Sequence, residues 1–359
     1  MSLKKIAELA GTSVATVSRV LNHPEHKCND HDLQARIWQI AADLQYTPNT
    51  LARDLRMGVE TTTSPFTVDI LLTRFHSIEN DAFFLELYQI IKEELLANGY
   101  LFGELLTNVD TLHLGQEQTG HIPYKTSAKV LAESAENARA FIRPKEHTGL
   151  VILGKCSETL IPLLEKRYPC MVGIDRNPTN HLYDEVFCNG AAAAEQAIEY
   201  LISLGHRNIA YIGDCNYESR YIGYYQTLLT HKLSISYDNI YPTDQTRESG
   251  YHATLQILEK TKRPSAIFCA NDTTALGVLD ALKKKKHSGY APSVISIDDI
   301  EDAKHSKPML TTISIPKREM VHLALSTLLD RRNHHHTENI RIELPCRLIR
   351  RESCDYYYQ

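Results

Sequence analysis

The sequence predicts an all-α helix-turn-helix headpiece followed by an α/β core of two lobes, each built on a doubly wound parallel sheet. Three observations carry this. The first 22 residues, MSLKKIAELAGTSVATVSRVLN, read as two short amphipathic helices around a tight turn. From Phe66 onward, continuous apolar runs alternate with helical stretches, the pattern of parallel strands covered on both faces. Eight or more such units over about 290 residues exceed one comfortable sheet, so two lobes follow.

In the headpiece, Ile6, Leu9 and Ala10 mark one apolar face, and Val17, Val20 and Leu21 mark another. Gly11 supplies the backbone freedom of the turn, and Ser13 stands where its side-chain oxygen can cap the second helix. That helix turns Val14, Ala15, Thr16, Ser18 and Arg19 outward. Small residues with one arginine can enter a major groove, where a bulky acidic face could not. A third helix is predicted over 30–44, with Leu33, Ile37, Ile40 and Leu44 on one stripe and Trp38, the sole tryptophan, packing this small unit. In YTPNTLARDLRMGVETTTSP, Pro48 starts a short helix after an extended Thr47, and 58–65 reads as a linker. A helix with so little core of its own orders only against DNA or a second copy. The chain thus divides into a headpiece at 1–45, a hinge helix and linker at 46–62, and a core at 63–359.

The core strands are FTVDILL, YLFGELL, GLVILG, CMVGID, NIAYIG, SAIFCAN, SVISID and TTISI, with helices expected at 82–98, 191–204, 219–229, 251–260 and 273–286. Residues 108–147 interrupt this rhythm as a polar elaboration with a helix-like stretch at 128–141. Ligands of open parallel sheets bind at the carboxyl ends of the strands. There the sequence offers Asp175, then Asn271 with Asp272, then Asp298 with Asp299, while NIAYIG runs through DCNYES to Arg220. Carboxylate, amide and guanidinium groups converging on one cleft suit a polyhydroxylated sugar, since each can hold two adjacent hydroxyls. Phe83 and Phe84 could stack on a sugar face or pack in the core.

Composition limits the alternatives. Hydrophobic content of 43% and charged content of 23% are those of an ordinary globular chain, and the formal charge of −5 does not advertise nucleic acid. Residues 1–60 are balanced rather than basic, so DNA binding would lean on helix N-termini, hydroxyls and dimerisation, with a modest salt slope. No apolar run of about 18 residues appears, so no membrane span is expected, and the N-terminus runs into an amphipathic helix with no signal-peptide core. The eight cysteines lack paired spacing and several lie in strand-like runs, as expected of buried thiols in a reducing cytoplasm. Neither GxSxG, HExxH, a Walker loop nor GxGxxG occurs, so neither an enzyme nor a cofactor is expected. His334, His335 and His336 are adjacent and cannot all face one metal, which predicts a loop. Lys283 to Lys286 complement a helix C-terminus. No leucine heptads follow the core, which predicts a dimer and not a tetramer.

The segments IAELAGTSVATVSRVLN, YTPNTLARDLRMG, DAFFLELYQIIKEELLANGY, LISLGHRNIAYIG, ANDTTALGVLDAL, ISIDDIEDAKHSKPMLTTISIPKREM and RLIRRES occur in this order across nearly the whole chain. Together they resemble the lactose/galactose repressor (LacI/GalR) family. The resemblance implies a core like the periplasmic sugar receptors, a homodimer on operator DNA, and control by an effector. It places Val14, Ala15 and Arg19 at base-reading positions, with the Val14–Ala15 pair of galactose-type members. Arg19 would contact guanine, worth about 1–3 kcal/mol of discrimination, or else a phosphate. Ser13, Thr16, Ser18, Asn22, Tyr46 and Asn49 would anchor phosphates, and Ala52 and Leu55 would enter the minor groove, Leu55 as a wedge. Asp175, Arg220, Asn271 and Asp298, with Phe83, fall at effector-contacting positions. Three departures stand out: Ser296 replaces a usual glycine, Asp81–Ala82 replaces the asparagine–proline before the paired aromatics, and the strand GLVILGKCSE offers Leu153 and Lys155 where a polar amide often sits.

The function implied is a cytoplasmic repressor of a carbohydrate operon released by a sugar. The ISIDDIEDAKHSKPMLTTISI stretch resembles galactoside-operon regulators and suggests galactose or a β-galactoside. A corepressor ligand, as in purine-type members, and a sugar receptor that does not bind DNA are the alternatives. The wedge gives a first test: Leu55→Ala should weaken operator binding at least about tenfold in a mobility-shift titration, about 1.4 kcal/mol. Unchanged affinity would remove the hinge helix from the mechanism.

Overall fold

A computed structural model of the chain describes residues 3–14, 16–17, 20, 33, 36–37, 40, 66–73, 81–106, 144–156, 158, 160–179, 182–216, 218–284 and 289–357. It divides into two units, Met1–Phe66 with Leu95–Leu101, and Thr67–Glu94 with Phe102–Gln359. In the first, α1 (Leu3–Ala10) buries Ile6, Ala7 and Ala10 against Val17, Val20 and Ile37, with Leu33 and Ile40 alongside. Leu9, expected on this face, is 53% exposed, and Ala7 takes its place inside. Gly11 ends the helix at φ +66°, where a side chain would be strained, and the Ser13 hydroxyl accepts a bond from the Thr16 amide at 3.1 Å. Leu21, Trp38, Leu44, the 46–62 hinge segment and most of the 108–147 elaboration lie outside the described residues.

The second unit holds two six-stranded sheets. The first lobe runs β1 (Thr67–Leu72), α2 (Ala82–Ala97), β2 (Leu101–Leu106), β3 (Thr148–Leu153), α3 (Ile161–Arg167), β4 (Met171–Asp175) and β5 (Asp184–Cys188). The second runs α4 (Gly190–Ser203), β6 (Ile209–Gly213), α5 (Ser219–Thr230), β7 (Ile240–Pro242), α6 (Arg247–Glu259), β8 (Ala266–Cys269), α7 (Asp272–Lys284), β9 (Ser293–Asp298), α8 (Glu301–His305) and β10 (Thr311–Ser314). The chain then returns through α9 (Lys317–Arg332) and β11 (Arg341–Leu344) to the first lobe, and ends on β12 (Arg347–Ile349) in the second. The strand orders are β11-β5-β4-β3-β1-β2 and β12-β10-β9-β8-β6-β7. Pairing is parallel from β1 through β3, β4 and β5 to β11, and from β7 through β6, β8 and β9 to β10; β12 is antiparallel to β10.

Helix α4 packs on strands of the second sheet and α9 on strands of the first. The chain therefore passes between lobes three times: from β5 to α4, from β10 to α9, and from β11 to β12. The loops after β4, β6, β8 and β9 all open at the carboxyl edges of the sheets.

Several elements escape the periodicity of the sequence. Strand β5, DEVFC, is fully buried yet begins with two acids. Asp184 accepts bonds from Arg331 at 2.5 and 2.8 Å, from His336 at 3.0 Å and from the Ile340 amide at 2.8 Å. Glu185 accepts from the Thr179 amide and hydroxyl and from Arg341. Such internal neutralisation lets acids sit in a buried strand and hides the strand from a hydropathy reading. Helix α6 starts at Arg247, ahead of the expected 251, because Thr246 and Ser249 form a reciprocal cap. Among the described residues no cluster of three His, Cys, Asp or Glu side chains is placed to hold a metal. Cys156, Cys170, Cys188 and Cys269 are buried thiols, whereas Cys215, Cys346 and Cys354 are only partly covered.

The Arg331 partnership also lowers the Asp184 carboxyl below its ordinary pKa against the effect of burial. Asp184→Ala leaves Arg331 without its carboxylate. It should cost about 3 kcal/mol, a Tm drop of roughly 4–5 °C by calorimetry. An unchanged Tm would show that β5 and α9 are held by packing alone.

Candidate functional site

On the headpiece, Ser13 and Val14 are exposed, Val14 by 43%, and Thr16 is half-buried. The Ser13 and Thr16 hydroxyls bond one another at 2.9 Å while Ser13 caps the helix, so this oxygen serves the fold before any phosphate. Ala15, Ser18, Arg19, Asn22, Tyr46, Asn49, Ala52 and Leu55 lie outside the described residues.

The core brings its candidates together in two knots of charge at the strand ends. The first begins with Asp81, whose Oδ1 accepts from the Phe83 and Phe84 amides at 3.0 and 3.4 Å and so caps α2. Its Oδ2 accepts from Arg176 Nη2 at 2.5 Å. Arg176 follows directly on β4 and is 1% exposed. Its Nη1 donates across the lobes to Asp298 Oδ2, at the end of β9, at 3.2 Å. The guanidinium also lies 4.4 and 5.0 Å from the ring centroids of Phe83 and Phe84, within cation–π range. Phe83 is thus buried and covered by an arginine. Asp175, half-buried beside this knot, accepts from the Arg176 amide at 2.6 Å.

The second knot centres on Arg220 at the start of α5. Its Nε and Nη2 each donate to a different oxygen of Glu218 at 2.8 Å, a forked pairing. Nη1 donates to the Ala270 carbonyl at 2.6 Å and Nη2 to Gln245 Oε1 at 3.2 Å. Asn271 donates to the Gln245 carbonyl at 3.2 Å and caps α7 by accepting from the Thr274 amide at 2.9 Å. Asn177, of the first lobe, donates to Glu218 Oε1 at 3.0 Å, a second bridge between lobes. A Cβ on Gly190 would stand 2.0 Å from Asn177 Oδ1 and 3.2 Å from Arg220 Cγ, so only glycine admits this approach.

Burial governs the charges here. Asp298 is pushed up to about 7 by burial; Arg176 and Arg220 pull it down, while Asp272 and Asp81 push it up. Asp298 also holds φ +127°, a strained backbone for a non-glycine residue. Behind it, Asp272 is raised to about 6 by burial, opposed by bonds from Ser296 Oγ at 2.5 Å, Thr312 Oγ1 at 2.6 Å and the Ile300 amide at 2.9 Å. Ser296, the departure from the family glycine, thus supplies a donor to a buried carboxyl. Burial opposes the Arg220 charge, and Glu218 more than offsets it, raising that pKa above its ordinary value.

Arg220, Asn271, Asp298 and Phe83 therefore meet with Asp175 beside them, and four neighbours that sequence reasoning missed complete the cluster: Arg176, Asn177, Glu218 and Gln245. The available signals were local: Arg176 and Asn177 directly follow Asp175, and Glu218 stands two residues before Arg220. Arg176 Nε and Asp298 Oδ1 are buried without a hydrogen-bond partner among the described residues, one donor and one acceptor. A hydroxyl can satisfy both.

The raised Asp298 carboxyl fixes a pH signature. Its contribution to stability is fully present below the unfolded value near about 3.9 and is lost as pH rises through about 7. Asp298→Asn removes the titration. Its Tm relative to the parent should therefore climb between pH 4 and 7, by up to about 1.4 kcal/mol per pH unit, and level off above. A difference independent of pH would mean that Asp298 stays ionised.

Comparison with known proteins gives the same organisation. The family model "Bacterial regulatory proteins, lacI family" matches residues 2–49, and "Periplasmic binding protein-like domain" matches 198–354. The HTH-type transcriptional repressor PurR of Salmonella heidelberg (strain SL476) is 29% identical over 362 residues, covering 98% of this chain and 96% of its own length. Among solved structures, the transcriptional regulator CelR in complex with cellobiose superposes with a TM-score of 0.65 at 21% identity, covering 99% of this chain and 100% of that one. The lac repressor dimer bound to operator and the anti-inducer ONPF gives 0.61 at 21% identity, with 98% of each chain covered. No helix among the described residues is long and apolar enough to cross a membrane. With its headpiece and two-lobed core, the chain is a DNA-binding transcriptional regulator of the lacI family.

Proposed function

We propose that this regulator is a homodimeric repressor of a carbohydrate operon, released from its operator when a sugar binds between the lobes. The observation that carries the reading is the meeting of Arg176 and Asn177 from one lobe with Asp298 and Glu218 from the other, beside Arg220 and Asn271. Groups that fork and accept in pairs match vicinal hydroxyls. A sugar that exchanged its own hydroxyls for these bridges would change the angle between lobes. The three chain crossings would carry that change towards the hinge segment. On the DNA side, Val14, Ala15 and Arg19 would read bases, Ser13, Thr16, Ser18, Asn22, Tyr46 and Asn49 would hold phosphates, and Ala52 and Leu55 would enter the minor groove. The likeness to a regulator whose structure holds cellobiose supports a sugar. Galactose or a β-galactoside is our first choice, on the resemblance of the Asp298 segment.

A second reading has its own support: the curated relative PurR is a repressor by name, and by analogy with purine-type members the ligand would then tighten operator binding. One titration separates the two. Operator affinity is measured with the purified full-length chain, with and without galactose, lactose, cellobiose, hypoxanthine and guanine. We expect a sugar to weaken it on the order of 100-fold, about 3 kcal/mol of coupling. Tightening by a base would establish the corepressor reading instead. If neither class moves the affinity, ligand control through this cleft fails.

A further inference from the structure

Both guanidinium groups of the cleft are already engaged by carboxylates of the chain. Arg220 has the two oxygens of Glu218. Arg176 lies between Asp81 and Asp298. Lys317, whose ammonium lies 5.8 Å from the Phe83 ring centroid, is 2.7 Å from Glu86 and donates to the Asp299 carbonyl at 2.8 Å. Lys155 follows β3 and is exposed. Among the described residues, then, each buried cation of the cleft carries a carboxylate partner.

Asp81 is the member that tips this balance. The resemblance puts asparagine at its position, and asparagine would cap α2 equally well. With its single oxygen on the cap, an asparagine would turn its amide nitrogen toward Arg176 and leave Asp298 as the one carboxylate on that guanidinium. Aspartate adds a full negative charge within 2.5 Å of the guanidinium. We propose that Asp81 is a specificity-determining residue: by neutralising Arg176 it restricts the cleft to uncharged ligands and excludes phosphorylated or carboxylated ones.

The inference rests on the reading that a small ligand enters this cleft. An anion entering there meets Asp81, Asp175, Glu218 and Asp298 at short range in a medium that screens poorly, and finds no cation free of its own partner. A neutral hydroxyl meets no such cost. A hydroxyl can accept from the Nε–H of Arg176 or donate to Oδ1 of Asp298, two of the polar atoms buried without a hydrogen-bond partner among the described residues. Protonation of Asp298 does not reverse the argument, because Asp81 alone still balances Arg176.

The test uses the full chain and does not require the effector to be known. Thermal unfolding is followed in chloride and in inorganic phosphate at about 20 mM and equal ionic strength, for the parent, Asp81→Asn and Asp81→Ser; both replacements keep a helix-capping side chain. We expect phosphate to leave the parent unmoved, to raise the Tm of both variants by at least about 2 °C, and to lose its effect when Arg176→Gln is added. Equal stabilisation of the parent overturns the proposal, as does no gain in either variant or a gain that survives Arg176→Gln. In a second arm, galactose and ribose are compared with galactose 6-phosphate and ribose 5-phosphate for their effect on the parent. Preference of the parent for either ester also overturns it. Failure of every neutral probe, with the phosphate arm as expected, counts against the proposed ligand-binding function and not against the charge filter.

Discussion

A full positive charge, buried to 1% exposure between two lobes, is the constraint around which the core is arranged. Removing a guanidinium from water costs several kcal/mol unless opposite charge and hydrogen bonds replace the lost solvent. Arg176 draws that replacement from both lobes: Asp81 and the two phenylalanine rings come from the first, Asp298 from the second. The arrangement of the lobes and the solvation of this residue are therefore one question. Arg220 shows the contrast, since Glu218, Gln245 and Ala270 satisfy it entirely within the second lobe. One arginine is internal to a lobe, and the other depends on the interface.

The same constraint explains the strain and the titration around Asp298. Asp298, whose carboxyl faces the guanidinium of the opposite lobe, holds φ +127°, outside relaxed strand geometry. Behind it, Asp272 would be a second buried negative charge, and three donors, including the Ser296 hydroxyl, moderate that cost. A glycine at 296 could not do so. The departure from the family pattern at this position is thus paired with a particular buried acid.

Much of this was legible in the sequence, for identifiable reasons. Helices 82–97 and 219–230 and strands 148–153 and 293–298 declared themselves because their environment is apolar on the expected faces. Arg220, Asn271 and Asp298 followed from a topological rule, that ligands gather where parallel strands end. What stayed hidden was whatever depends on contacts distant in sequence. Strand 184–188 reads as polar until Arg331 and Arg341, some 150 positions away, are seen to neutralise its acids. Leu9 and Ala7 exchange places because burial on a short helix depends on how its neighbours meet it, and spacing alone does not report that. Arg176 was passed over for the same reason: beside Asp175 it reads as an ordinary strand-end charge, and its partners lie 95 and 122 positions away.

The magnitudes bear on how such a core could switch. A useful change in operator occupancy asks for about 3 kcal/mol of difference between two arrangements of the lobes. A hydrogen bond to a charged group contributes about 1.5–3 kcal/mol net when both partners are otherwise buried. Bonds of this kind near the strand ends include Arg176 to Asp298, Asn177 to Glu218 and Lys317 of α9 to the Asp299 carbonyl, with the Glu301 amide bonded to Glu86 at 2.8 Å further out. Trading one or two of these for bonds to a bound molecule covers the whole requirement. No long-range field and no large unfolding is needed, because one of the three chain crossings between the lobes starts beside the same residues: that between β5 and α4 passes at Gly190, in contact distance of Asn177 and Arg220. A change in the second knot is thereby a change where the chain crosses between the lobes.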